Sequence, residues 1–376
     1  MSSEPAAQIP FFNYRGAFQA IEEPIVAIVR DVIRRGAFIQ QRDLEEFEAH
    51  LAEYLGVRHA IGVGNATDGL IMLWRAVGLQ PGDEVLFPSH TMVASPASVA
   101  HAGGVPVPVD CGPDHLMDPD AAERAIGPRT RGILPVHLNG RTCDMDRIAS
   151  MAERHGLLLV EDAAQALGSR YRGKPAGTFG LGSAFSFYPA KILGCLGDGG
   201  AVVTNDDDVA RKVRLLRDHG RNERGDVEMW GLNSRLDNLQ AAVLDLQFRD
   251  YERIIRHRRE LAQRYEDRLR GIPEITLPPG PGVDTVHFDV YQNYEIEAER
   301  RDDLRAHLSA RGIGTIVQWG GKAVHQFPGL GFSHSLPATD RLFERCLLLP
   351  MNMMVTVEDV DRIAREIGAF YGRGSC

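Results

Sequence analysis

Long apolar runs are missing from this 376-residue chain, and none approaches the ~18 residues that a membrane-spanning helix needs. No bilayer-spanning helix is expected. Runs rich in Lys and Arg are missing as well, and the formal net charge of −9 offers no basic excess to a phosphate backbone. Nucleic acid is not an expected partner. Cysteine is scarce: Cys111, Cys143, Cys195, Cys346 and Cys376 are an odd number, scattered, with no C-x-x-C pair. That argues against a disulfide framework and against a zinc or dithiol site, so no metal is expected. The N-terminus lacks the basic stretch and apolar core of a secretory leader. A cytoplasmic protein with reduced thiols is the expectation. There is no internal repeat and no low-complexity segment.

Hydrophobic residues make up 44% and charged residues 25%, the balance of an ordinary soluble globule. The length exceeds what one core usually serves. We therefore expect a large domain over residues 12–248 and a smaller α+β domain over 249–376.

Apolar residues Phe18, Ile21, Ile25, Ile28, Val29 and Val32 recur at helical spacing, predicting one amphipathic helix over 17–35 that stops at Gly36. A second helix is predicted over 42–55, with Leu44, Phe47, Leu51 and Leu55 on one face. Strands and helices then alternate. Strands are predicted at 59–63, 84–87, 105–109, 132–136 and 157–160, with helices from Thr67, near Val93, near Pro119 and over 144–155. Strands apolar on both faces that alternate with helices specify an α/β fold with a mainly parallel central sheet, and ligands bind beyond the carboxyl ends of its strands. Two more strands, 184–187 and 201–204, precede a long helical stretch over 236–270. A Pro/Gly-rich segment at 278–282, a strand at 292–296, a helix at 302–310 and a terminal helix complete the chain.

Three segments stand at strand ends: Gly64-Asn65-Ala66-Thr67-Asp68-Gly69, Glu161-Asp162-Ala163-Ala164-Gln165 and Ser186-Phe187-Tyr188-Pro189-Ala190-Lys191. The first reads either as a glycine turn capping a helix or as an anion site, because the free N–H groups of a helix N-terminus suit a phosphate. It lacks the Lys-Ser/Thr ending of a nucleoside-triphosphate loop. Asp162 ends a buried strand, where an unpaired charge is costly, so it needs a cationic partner. Asp162 reads either as a helix N-cap or an arginine's ion-pair partner, or as a functional residue. Lys191 taken alone reads as a surface lysine.

The motifs GNATDGL, DEVLFPSHT, PVHLNGRTCDMD, VEDAAQALGS, FSFYPAKILGCLGDGGAVVTN and GLNSRLDNLQAA together resemble the DegT/DnrJ/EryC1/StrS family, in order and over nearly the whole chain. The family consists mainly of fold-type-I, pyridoxal-phosphate-dependent aminotransferases acting on nucleotide-linked keto-sugars. The resemblance implies that Lys191 is the Schiff-base lysine and that Asp162 pairs with the pyridine nitrogen of the cofactor. Such an acid lets the ring act as an electron sink, and a neutral lysine amine beside the reacting carbon can shuttle its proton. By the same resemblance Gln165 contacts the ring's 3-oxygen, and Ser186 with the backbone at Ala66 and Thr67 holds the phosphate. Asn233 matches a position that reaches the phosphate of a neighbouring subunit in a homodimer; otherwise it is a turn or cap residue.

The chain departs from the family pattern at Met92, where an aromatic ring usually stacks on the cofactor. A methionine can still make a sulfur–aromatic contact, and His90 is the other candidate for that ring. It departs again at Gln318-Trp319, where many members carry His-Tyr near the sugar. Binding a nucleotide diphosphate calls for cations, for which Arg217, Arg221, Arg224 and Lys322 are available. The candidate substrate contacts are Tyr188, Arg224, Gln318, Trp319, Lys322 and His325.

The expected function is transfer of an amino group from L-glutamate or L-glutamine to a dTDP- or UDP-linked 4-keto or 3-keto 6-deoxyhexose. Three rivals stand beside it. A sugar dehydratase of the same family would have histidine at position 191. A cysteine desulfurase would use Cys195, which sits in the turn GCLGDGG. A regulatory or sensor member would use the fold without chemistry, and Asp162, Gln165 and Lys191 argue against it.

Overall fold

The structure is a computed structural model that describes residues 8–373, so Cys376 lies outside the described residues. The predicted helix over 17–35 is two helices, α1 (Tyr14–Gln19) and α2 (Glu22–Arg35). Pro24 is the reason: its ring would clash with the carbonyl four residues earlier in a continuous helix, but it is tolerated in the first turn of a new one. Helix α3 (Arg42–Leu55) buries Leu44, Phe47, Leu51 and Leu55, the stripe read from the sequence.

The alternation follows as β1 (His59–Val63), α4 (Ala66–Ala76), β2 (Glu84–Pro88), α5 (Ala94–His101), β3 (Val105–Val109), α6 (Pro119–Arg124) and β4 (Thr130–Ile133). Strand β4 ends short of the predicted Val136. Pro135 has no N–H to give to a ladder, and only an isolated bridge, Val136 to Asp162, continues the pairing. Then come α7 (Met145–His155), β5 (Leu158–Asp162), a ribbon of β6 (Arg170–Tyr171) and β7 (Lys174–Pro175), β8 (Gly182–Ser186) and β9 (Gly200–Thr204).

Helix α8 (Asp207–Arg217) was not anticipated, although its start carries a cap signature: Asp206 accepts hydrogen bonds from the N–H groups of Asp208 and Val209. The predicted stretch over 236–270 is two helices, α9 (Asn238–Phe248) and α10 (Tyr251–Leu269), and no glycine or proline marks their junction. The remainder is β10 (Ile275–Thr276), β11 (His287–Phe288), β12 (Tyr294–Ala298), α11 (Arg301–Ser309), α12 (Pro337–Arg345), β13 (Cys346–Leu349) and α13 (Val357–Phe370). Strand β12 lies two residues later than predicted, and α12 and β13 were not anticipated.

The central sheet runs β1-β9-β8-β5-β4-β2-β3. Pairing is parallel from β8 outward to β3, while β9 is antiparallel to both its neighbours. Helices α3, α9 and the start of α10 pack on one face and α4 and α8 on the other, giving an α/β/α sandwich. A separate antiparallel sheet, β10-β12-β13, shares a core with the rest of α10, α11 and α13. No helix of the described residues is long and apolar enough to cross a membrane.

Register places the strand ends together. Because β9 runs backward, its first residue, Gly200, pairs with Val63 at the end of β1 and with Ser186 at the end of β8. Asp162, the last residue of β5, pairs with Ala184 one strand further. The three segments singled out in the sequence therefore leave the sheet along one edge.

Helix α4 lies unusually close to this sheet because Gly69 has no side chain: a Cβ there would meet Val202 Cγ2 at 3.1 Å, Ala184 Cβ at 3.3 Å and Val63 Cγ2 at 3.4 Å. Gly69→Val should therefore lever α4 off the sheet and cost about 1–3 kcal/mol, the usual toll of overpacking. Urea denaturation of the variant checks this, and unchanged stability would show that the helix has slack.

Candidate active site

The residues of β5 alternate between faces, and its last two carboxylates meet opposite environments. Glu161 is fully buried and accepts from His137 Nε2 (2.8 Å) and from the N–H groups of Gly177 (2.9 Å), Phe179 (2.7 Å) and Gly180 (2.7 Å). Since His137 Nδ1 accepts from Cys143 N–H, the ring proton sits on Nε2. Glu161 is a satisfied structural anion.

Asp162, 6% exposed, has fewer partners. Its Oδ2 accepts from Ser95 Oγ (2.7 Å) and its Oδ1 from Ala164 N–H (3.1 Å). Ser95 has one proton and gives it to Asp162, so the 2.8 Å contact between Thr91 Oγ1 and Ser95 Oγ must be donated by Thr91. No arginine or lysine forms an ion pair with Asp162 among the described residues. A buried carboxylate held only by neutral donors is matched to a cation from outside the chain, such as a protonated ring nitrogen.

Lys191 follows β8 in a loop whose turn closes with Lys191 N–H donating to Tyr188 O (2.8 Å). Burial disfavours its ammonium, and the Asp162 carboxylate only partly offsets this, so the amine is pushed down to about 8. It is far readier to lose its proton than a surface lysine. Lys191 also lines a cavity of about 330 Å³ shared with Tyr14, Phe18, Arg258, Gln292 and Met353.

Ala66 and Thr67 open α4, whose N-cap Asn65 accepts from Asp68 N–H (2.8 Å). The cap leaves the N–H groups of Ala66 and Thr67 as the helix's unsatisfied donors. Gly200 lets β9 approach them, because a Cβ there would meet Asn65 C at 2.7 Å and Ala66 N at 2.8 Å. Gly64 N–H donates to Ser234 Oγ (3.1 Å), which ties this loop to the GLNSRLD segment. Ser186 Oγ is partly exposed on the same edge and accepts from Tyr188 N–H (3.3 Å). Such a cradle fits a phosphate.

Gln165 is half-buried, and its Oε1 accepts from Asn139 N–H (2.9 Å) and Asn293 Nδ2 (3.4 Å). With the oxygen occupied, its amide –NH2 is the end left to serve a ligand oxygen. Met92 is 53% exposed and its carbonyl accepts from Ser95 N–H (3.1 Å), so it stands on the turn that supplies Asp162's partners. His90 is enclosed, 1% exposed, edge-on to Trp319 and Phe343, and its Nδ1 donates to His115 O (2.9 Å). It is packed behind the site.

The other substrate candidates scatter. Tyr188 is half-exposed beside the lysine loop. Gln318 is buried, its Nε2 donating to Glu295 Oε1 (2.9 Å) and Asn139 Oδ1 (3.1 Å), and Trp319 packs on His90. His325 is fixed between Ser89 Oγ (2.7 Å) and Asp340 Oδ1 (3.0 Å). Lys322 and Arg224 are exposed. Arg217 pairs with Glu48 (2.6 Å) and Arg221 with Asp218 (3.0 Å). Asn233 is exposed where its neighbour Ser234 is buried, and no other described residue hydrogen-bonds its side chain.

Sequence reasoning missed Thr91, Ser95, Asn139, Asn293 and Glu295. The first two were findable, since Thr91 and Ser95 are four apart at a helix start, where hydroxyls cap. The rest come from distant segments and no local pattern marks them.

The model of the DegT/DnrJ/EryC1/StrS aminotransferase family matches residues 19–368. The chain is 42% identical over 350 residues to the dTDP-3-amino-3,4,6-trideoxy-alpha-D-glucose transaminase of Streptomyces venezuelae, covering 92% of this chain and 91% of that one. It is 40% identical over 367 residues to the erythromycin biosynthesis sensory transduction protein EryC1 of Saccharopolyspora erythraea, covering 96% and 99%. The crystal structure of S. venezuelae DesV with a ketimine intermediate superposes with a TM-score of 0.93 at 40% identity, covering 98% of this chain and all of that one.

The depressed lysine gives a test that needs no ligand. In cofactor-free protein Lys191 should acylate with a midpoint near pH 8, and Asp162→Asn should move the midpoint lower, because Asp162 is what holds the proton on. The folded state binds fewer protons than the unfolded one between pH 8 and 10.5, so stability from this group rises with pH across that window. Lys191→Met should abolish a rise of at most about 3 kcal/mol. Competitive labelling and urea titration read the two effects, and a midpoint near 10.5 would refute the buried-amine geometry.

Proposed function

The chain belongs to the DegT/DnrJ/EryC1/StrS aminotransferase family, and from that premise we propose that it is a cytoplasmic, pyridoxal-phosphate-dependent aminotransferase that aminates a nucleotide-linked keto-sugar. The observation that carries this reading is a depressed, half-buried Lys191 in the field of Asp162, a buried carboxylate that forms no ion pair among the described residues. Bound, the cofactor supplies an electron sink for a carbon that loses its proton. Asp162, braced by Thr91, Ser95 and Ala164, would hold the proton on the ring nitrogen. Lys191 first anchors the cofactor. Its Nζ, which burial makes readier to lose its proton than an ordinary lysine, would then take a proton from one carbon and deliver it to the next. Gln165 would donate to the ring's 3-oxygen, Met92 would be the side chain nearest the ring, and Ala66, Thr67 and Ser186 would hold the phosphate.

The amino donor is L-glutamate or L-glutamine. A dTDP-linked 3-keto-6-deoxyhexose is the acceptor we favour, because the S. venezuelae transaminase carries a dTDP-3-amino sugar in its name; the UDP-linked and 4-keto sugars are the alternatives. Tyr188, Arg224, Lys322 and the exposed edge of Trp319 are the contacts we assign to the sugar nucleotide. EryC1's name favours a second reading, a sensory protein without chemistry. Against it stands the complete set of Lys191, Asp162 and Gln165.

We further propose a homodimer with shared sites. Asn233 closes a hairpin whose strands bridge at Asp218–Asn233 and Arg221–Val227, and this hairpin carries Trp230, 94% exposed. An exposed tryptophan on a projecting hairpin suits a subunit interface.

Borohydride reduction and peptide mapping should place the cofactor on Lys191. Glutamate should bleach the bound cofactor's absorption band, and a dTDP-linked 3-keto sugar should restore it. A band that ignores every amino acid would favour the sensory reading, and label on another lysine would sink the site assignment. If Asn233→Asp and Lys191→Ala subunits are unfolded, mixed and refolded, half the dimers are mixed and each regains one intact site. Activity should return to about a quarter of wild type. Mixed dimers as dead as their parents would remove Asn233 from the site.

A further inference from the structure

Resting on the reading that Lys191 carries the cofactor, we propose that Gln292 and Asn293, adjacent residues leading into β12, are positioning residues that set Lys191 and Gln165 relative to one another.

Gln292 is 6% exposed and its one amide spans the lysine. Its Oε1 accepts from Ile192 N–H (2.9 Å) and its Nε2 donates to Ala190 O (2.8 Å), so the residues on both sides of Lys191 hang from a single side chain. The backbone that carries this amide is itself anchored, since the Gln292 carbonyl accepts from Arg258 Nη2 (3.5 Å), and Arg258 Nη1 also donates to Met351 O. Asn293 serves the other residue. Its Nδ2 donates to Asn139 Oδ1 (2.8 Å) and reaches Gln165 Oε1 (3.4 Å), the same oxygen that accepts from Asn139 N–H. Two donors on Oε1 fix which way the Gln165 amide faces and leave its –NH2 for the ligand.

The backbone shows that this segment is held firmly. Tyr291 and Asn139 both adopt left-handed conformations, with φ of 52° and 56°, a cost that persists only where packing over-determines it. The two turns interlock: Val290 N–H donates to Gly140 O (2.9 Å), and a Cβ on Gly140 would meet Gln292 N at 2.7 Å. The lysine loop has other supports, with Leu196 N–H donating to Gln240 Oε1 and Gln247 Nε2 to Gly194 O, each 2.8 Å. The loop therefore does not hang on Gln292 alone. That residue's contacts bear on where the lysine sits.

The test uses Gln292→Met and Gln292→Glu in the full-length protein. Gln292→Met keeps the bulk and loses both hydrogen bonds. It should keep the unfolding transition and the cofactor on Lys191, move the pH midpoint of Lys191 acylation in the cofactor-free protein, and slow the glutamate half-reaction roughly 10- to 100-fold, as small misplacements do. KM for glutamate should change far less. Gln292→Glu can accept from Ile192 N–H at any pH but can donate to Ala190 O only while protonated. Its half-reaction rate should therefore climb toward wild type as pH falls, a limb that Gln292→Met lacks. Asn293→Asp, which turns a donor against Gln165 Oε1 into an acceptor, should shift the absorption band of the bound cofactor and serves if the Gln292 variants do not fold.

Wild-type midpoint and rate in Gln292→Met, with no acid-recovering limb in Gln292→Glu, would overturn the proposal. If neither Gln292 variant folds, an unshifted band in Asn293→Asp would overturn it equally. Cofactor found on a lysine other than Lys191 in the wild type would instead overturn the underlying functional reading.

Discussion

A buried carboxylate without an ion pair sets the terms for the rest of this molecule. Asp162 sits at the end of an interior strand, 6% exposed, where an uncompensated charge is costly unless hydrogen bonds and a counter-ion meet it. The chain supplies only part of that compensation, from one hydroxyl and one backbone N–H. It spends no arginine there. Glu161, one residue earlier, receives four donors and asks for nothing more. The difference between these neighbours separates a structural anion from one reserved for a ligand, and the alternation of a strand is what allows both on consecutive residues.

The second sheet matters to the site because of what β12 and its approach carry. Glu295 on β12 is enclosed by His90, His115, Asn139 and Gln318. Burial opposes its ionisation, but the neighbouring histidines outweigh this and hold it well below the usual carboxylate range. His115 shows the complement: burial works against its cation, yet hydrogen bonds to Glu295 and Glu297 raise it to about 9. A buried ionic cluster of this kind contributes little net stability, but breaking it is expensive, so it locks the orientation of β12 against the central sheet. Gln292 and Asn293 extend from that locked strand to the lysine loop and to Gln165.

How much of this was legible in the sequence follows from the range of each interaction. The α/β alternation, α3 and the strand end at 63 were readable, and the predicted ends at 160 and 187 fall within two residues of those at 162 and 186, because periodicity and turn residues are local signals. The breaks at Pro24 and Pro135 are local signals too, since proline acts on its own peptide, but the apolar spacing runs through both. Lys191 and Asp162 gained their roles from six ordered motifs that resemble a family, since neither residue stands out alone. Gln292 was read only as the start of a strand. Its partners are Ala190, Ile192 and Arg258, and contacts over such separations leave no trace in local composition.

The hydrogen bonds that lead from Glu295 toward Gln165 and the lysine loop run through neutral amides: Asn139, Gln165, Gln292, Asn293 and Gln318. Burial already lowers Lys191 to about 8, with Asp162 as the opposing charge, and each further buried charge within a few ångströms would shift that balance by one or more pH units. A carboxylate in place of Gln292 would hold the proton on the amine, and a lysine or arginine would drive it off and compete for Asp162. Amides donate and accept without net charge, so they tie the lysine loop to the second sheet without adding a charge beside the amine. The site is thus built in two shells with different currencies, charge where the second sheet is locked and neutral hydrogen bonds where the reactive amine is aimed.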